Sequence, residues 1–344
     1  MTDNPARSSK APGPRKKRRY AVTINTLFQP EKPSKILHFQ AAFFQTVTPK
    51  KKPRDRSKLK ERIDHWLNII SKIEEGRYII QFSQENKIQI AVAKEKGIYG
   101  YFSPSKNMTV ISSTLKDGDA IGTLFHETRH AIQCKSGFWC DAALSPRDNI
   151  LMSCAMEADA EAFCVMASYK LKLAGYPEAF EAHKKSPYGD ISNRFEKMVT
   201  ENPASLEDGS AMRAAYDRWF KNPNRVISYA ANALKMVHAS LIGFSRQYNQ
   251  KGFMPLTHEI MEGIGELPNG TNYQKAEGRD LVADTYKKLH HPELLEFLEI
   301  LERGIGMPTT VSNDNKPGKE PKSDKDMRDQ LRNIIKTYSP GMMR

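Results

Sequence analysis

The sequence predicts an α+β fold in which a small mixed or antiparallel sheet precedes a mainly helical body. Between residues 77 and 113, four short runs rich in β-branched and aromatic residues stand apart: "RYIIQFS", "KIQIAVA", "GIYGYFS" and "MTVISS". Asn, Gly, Pro and Lys separate them, as turns separate short strands. From Asp119 onward apolar residues recur at helical spacing instead. The length of 344 residues, 39% apolar and 27% charged, suits a soluble chain with a sizeable core in one or two domains.

Before the sheet, Ser57 starts a predicted helix running to Gly76, with Leu59, Ile63, Trp66, Leu67, Ile70 and Ile73 on one stripe. After it, helices are predicted over 119–134, 148–173, 190–200, 209–220, 225–244, 255–266, 278–289 and 292–303. Residues 308–326, including "PTTVSNDNKPGKEPKSDK", are too polar for a core and read as a linker. A short amphipathic helix, "MRDQLRNIIKTY", falls in the tail 327–344. The division is therefore a disordered basic arm at 1–20, a basic extension at 21–62, one folded domain at 63–307, the linker and the tail.

The net charge of +13 is confined to the first segments. Residues 1–62 carry 17 Lys/Arg against four acids (Asp3, Glu31, Asp55 and Glu61), and the remaining 282 residues hold 36 of each sign. The basic blocks, at 14–19 and 50–62, suit contact with a polyanion or an import receptor. Neither block has interleaved aromatics, which argues against stacking on single-stranded bases. No apolar run approaches the roughly 20 residues of a membrane span, and "YAVTINTLFQPEKP" is too polar for the core of a signal peptide. The expectation is a bacterial cytoplasmic protein; the alternative is an effector delivered to a host and carried to its nucleus by the "RKKRR" block. The four cysteines, Cys134, Cys140, Cys154 and Cys164, lack CxxC pairing and read as reduced thiols.

The chemistry concentrates in "TLFHETRHAIQ", residues 123–133. Asp117 or Asp119 caps a helix on which His126 and His130 lie one turn apart on the same face, as two ligands of one ion require. Glu127 stands beside them, placed to take a proton from a metal-activated water, which is why H-E-x-x-H recurs in zinc peptidases. Arg129 is foreign to that pattern and points away from the His126/His130 face, toward solvent or an acid.

A third ligand is sought in "NILMSCAMEADAEAFCVMASY", residues 149–169, a helix apolar nearly all round and therefore buried. Its only charges are Glu157, Asp159 and Glu161, with no Lys or Arg in the segment. Buried carboxylates need a cation, and a dication held by two neutral histidines supplies one. Glu157 is the expected third ligand, with Glu161 and Asp159 as outer acceptors for the histidine N–H groups. Asp159 or Glu161 as the ligand stays open, as does pairing of these acids with Arg129 or Arg147.

"TLFHETRHAIQ" followed by "MEADAEAF" resembles the gluzincin branch of zinc metallopeptidases, and "NMTVISS" before it is similar to the edge strand and helix of that zincin-like fold. With "DGSAMRAAYDRWF" at 208–220 these motifs resemble a metallopeptidase-type domain family of proteobacterial proteins, over about residues 75–245. The resemblance implies one Zn2+ per chain on His126, His130 and Glu157, Glu127 as catalytic base, and a peptide or protein substrate. Tyr216, Tyr229, His238 and His258 are candidates for stabilising the oxyanion. The competing expectation is a non-catalytic zincin-like binding protein acting on a polyanion through its basic arm.

Overall fold

The computed structural model describes residues 21–22, 56–95, 97–138, 144–248, 255–275, 279–289 and 292–304. The basic residues 14–19 and 50–55, the linker at 308–326 and the tail lie outside them. So does the side chain of His238.

The described residues are mostly helical, with one small mixed sheet, an α+β architecture. Strand β2 (Gln89–Ala93) pairs in parallel with β4 (Met108–Ser112), and β3 (Gly100–Ser103) pairs antiparallel with the other side of β4. A two-residue strand, β1 (Ala21–Val22), lies antiparallel against β2, so the order is β1-β2-β4-β3 and β3 is an edge. Strand β4 is flanked on both sides and buried at every position, the small polar Thr109 and Ser112 included. Asn107 sets the turn into it: its backbone is left-handed (φ 47°), and its amide donates to the carbonyls of Asn86 and Lys87.

The segment "RYIIQFS" corrects the expectation of a strand. It lies within helix α2 (Glu74–Glu85), which follows α1 (Arg56–Ile70) after a three-residue break. The alternation of bulky residues misleads because Glu75, Gly76, Ile79 and Ser83 form a buried stripe at helical spacing. Tyr78 and Phe82, one turn apart, stack with ring centres 6.2 Å apart. Gly76 makes the break: a Cβ there would stand 1.7 Å from the carbonyl oxygen of Ile70, so only glycine lets the two helices meet this closely.

Helix α3 (Asp117–Lys135) runs from the end of β4 and is held at its start by α1, where Trp66 Nε1 and Arg62 Nε donate to Asp117. Helix α4 (Pro146–Leu173) packs along α3 at the centre of the body. Ser145 caps α4, accepting the Asp148 N–H at 3.0 Å, and Pro146 occupies the first turn, where no donor is lost. Around α4 stand α5 (Glu178–Lys184), α6 (Gly189–Glu201), α7 (Ser210–Trp219) and α8 (Pro223–Tyr248). Beyond them come α9 (His258–Gly263), α10 (Leu281–Tyr286) and α11 (Pro292–Gly304). Helix α5 was not expected from periodicity; its seven residues bury only Ala179 and Phe180. No helix among the described residues is long and apolar enough to cross a membrane.

Gly76→Ala should destabilise the protein by about 2 kcal/mol or more, because the new methyl overlaps backbone rather than a movable side chain. Chemical denaturation of the purified variant measures this, and an unchanged midpoint would refute the tight α1–α2 crossing.

Candidate metal centre

On α3, His126 and His130 turn their rings toward each other, with Nε2 atoms 3.0 Å apart. Glu157 comes from α4 to close a triangle: its carboxylate lies 3.5 Å from His126 Nε2 and 3.6 Å from His130 Nε2. Among the described residues these three form the group able to hold a metal ion. The two histidine–carboxylate separations are close to the edge of a tetrahedron around zinc, about 3.4 Å for ligand distances of roughly 2.1 Å, and the histidine pair is tighter at 3.0 Å.

The protons of the two rings support the same fit. Gln133 Nε2 donates to Met156 O at 2.9 Å and to Asp159 Oδ2, so its amide oxygen must face His130 Nδ1, 2.8 Å away. His130 therefore carries its proton on Nδ1. His126 Nδ1 faces the Glu161 carboxylate at 2.9 Å, which accepts only, so His126 carries its proton there too. Neutral rings would then point both Nε2 lone pairs at one another across 3.0 Å, which repels unless a metal ion or an added proton lies between them. Burial works against protonation, but without an ion Glu157 beside both rings, and Glu161 beside His126, raise the imidazoles toward the protonated form. The residues fit a divalent ion.

Burial opposes charge on all these groups, but contacts decide the outcome. Glu157 is pulled down to about 2, since the histidines outweigh its desolvation. Glu161 is held well below the usual carboxylate range, again because His126 and His183 override burial. Glu127 goes the other way: burial raises its pKa and the nearby histidines only partly offset that. It is 8% exposed and accepts a hydrogen bond from the backbone N–H of Phe102 on β3.

Arg129, the residue foreign to the motif, faces the protein and not solvent. It is 3% exposed, donating from Nε and Nη2 to the two oxygens of Asp159 at 2.7 and 3.0 Å and also to Ile264 O. Asp159 further accepts from Tyr273 Oη and Gln133 Nε2. Asp159 thus touches neither histidine; its link to His130 runs through Gln133. Glu161 contacts His126 directly.

The triangle opens into a cavity of about 410 Å3 between β3 and α8. Tyr229 lines it, and its hydroxyl lies 2.7 Å from that of Tyr188. Burial raises both phenols, so both stay protonated donors. Of the other oxyanion candidates, Tyr216 is buried between α7 and Tyr273, and His258 pairs with Glu262; neither lines the cavity. Gln133, His183 and Tyr188 were missed from sequence. Only Gln133 carried a signal, three residues after His130 on the same helix.

Residues 41–275 match the family model described as "Putative metallopeptidase family (DUF6782)". The chain belongs to this family. Membership implies a hydrolase that uses a metal, and the cluster of His126, His130 and Glu157 is compatible with that metal. No curated protein and no solved structure matches the chain.

Asp159→Ala leaves a buried guanidinium without its carboxylate and should cost about 3–5 kcal/mol of stability. Denaturant unfolding reads this directly, and a loss below the error of the measurement would show that Arg129 finds another partner.

Proposed function

We propose that this chain is a zinc-dependent peptidase of zincin-like, gluzincin-type layout, hydrolysing peptide bonds in a peptide or protein substrate. The facing Nε2 atoms of His126 and His130, with the Glu157 carboxylate beside both, carry the reading. These three residues would hold the ion, and two imidazoles with one carboxylate leave a position open for water. When bound, the metal polarises a carbonyl and acidifies a water molecule.

The remaining work belongs to side chains. Glu127 takes the proton of the attacking water and passes it to the departing amine, a role suited to a carboxylate whose affinity for protons burial has raised. The Phe102 N–H holds it in place. Tyr188 and Tyr229 line the cavity with their hydroxyls hydrogen-bonded to one another, which uses one proton and leaves one O–H to donate to the oxyanion that forms on the substrate carbonyl. Strand β3 has one edge on β4, and residues 98–102 line the cavity. An extended substrate adding to that edge by backbone hydrogen bonds brings its scissile bond over Glu127.

Wild-type protein should contain about one zinc per chain and lose it, with its activity, in His126→Ala. Glu127→Gln should keep the metal while kcat falls by roughly 10²- to 10⁴-fold. Metal analysis beside turnover of a peptide library tests both. Undiminished hydrolysis by Glu127→Gln would remove Glu127 from the mechanism, and a metal-free, active wild type would remove the metal.

A further inference from the structure

We infer that His183 is a positioning residue for the metal centre, aiming His126 through Glu161. The inference rests on the metal-binding reading above.

His183 lies 57 residues after His126, on the short helix α5, and its side chain is 9% exposed. Its Nε2 donates to Glu161 Oε1 in a short hydrogen bond, while Glu161 Oε2 accepts from His126 Nδ1 at 2.9 Å. Both oxygens of this buried, ionised carboxylate are thus committed, one to each histidine. The other ring nitrogen of His183, Nδ1, stands 2.5 Å from Ser192 Oγ on α6. Since Nε2 carries the proton toward Glu161, Nδ1 accepts from the serine hydroxyl. The order of donors is therefore fixed from Ser192 through His183 to Glu161, with His126 donating from the opposite side. It keeps a His126 proton on Nδ1 and so leaves Nε2, the nitrogen that faces Glu157 and His130, as the one available to a metal ion.

Glu161 alone does not secure this. A carboxylate on a flexible side chain turns unless its second oxygen is held, and solvent does not hold it at 7% exposure. His183 supplies that hold from a separate element, which the core anchors through Phe180 (0% exposed). Residues that orient a metal-binding histidine at one remove commonly change metal affinity 10- to 100-fold.

The test titrates the full-length protein with Co2+, in competition with a chelator, and records the visible spectrum. His183→Ala should bind Co2+ roughly 10- to 100-fold more weakly and shift the absorption bands, since His126 is no longer held in one orientation. His183→Gln, whose amide nitrogen can donate to Glu161 Oε1, should recover most of that affinity. Ser192→Ala leaves both rings in place and should cost less than His183→Ala. A folded His183→Ala protein with wild-type affinity and spectrum overturns the assignment; so does His183→Gln binding as weakly as His183→Ala. If His183→Ala does not fold, Gln and Ser192→Ala decide alone, and Ser192→Ala weaker than Gln overturns the donor order. Failure of the metal reading looks different: the wild type and His126→Ala would then take up Co2+ equally poorly.

Discussion

The buried pair of Arg129 and Asp159 is the constraint on which the rest of the structure depends. Arg129 precedes His130 by one residue, and Asp159 follows Glu157 by two. A bidentate guanidinium–carboxylate contact has little freedom of distance or angle, so it pins α3 against α4 in one register. In that register His126, His130 and Glu157 come together. Removing two charges from water costs about what their attraction returns, so such a pair gives geometry more than net stability. Here Ile264 O, Tyr273 and Gln133 satisfy the remaining valences of both groups.

Each metal-facing histidine is oriented from a different direction. His130 is held within the α3–α4 interface through Gln133, whose own amide is fixed by Asp159 and Met156 O. His126 is held by Glu161, also on α4, which the α5 residue His183 holds in turn. The arrangement spreads the cost of burying ionised groups over several elements, and both oxygens of Glu161 and of Asp159 meet donors. Helix α3 is consequently buried nearly all round.

Strand β3 brings the sheet into the same site. It lies over Glu127 closely enough for the Phe102 N–H to reach the carboxylate, and Gly100 makes the approach feasible. A Cβ on Gly100 would come within 2.7 Å of Thr123 Cγ2 and 3.3 Å of Glu127 Cγ. The edge strand, Glu127 and the two tyrosines thus bound one cavity.

Much of this was legible in local pattern, since helical periodicity places His126 and His130 one turn apart with Glu127 beside them. The lack of any cation in 149–169 likewise announced that its acids answer something outside that helix. The α+β class followed from the change of period after "MTVISS". Helix α2 was not legible, because "RYIIQFS" has strand-like residues and its helix depends on Gly76 meeting Ile70. Three acids spaced by two residues cannot be told apart along a chain. The rotation of α4 against α3 decided that Glu157 faces the Nε2 atoms, Glu161 faces Nδ1 and Asp159 faces Arg129. Sequence by itself determined that His126, Glu127 and His130 stand together on one helix, since spacing there needs no partner. Only tertiary structure decided what stands opposite them, because contacts between separate helices are set by packing and by the directions of donors that no local period records.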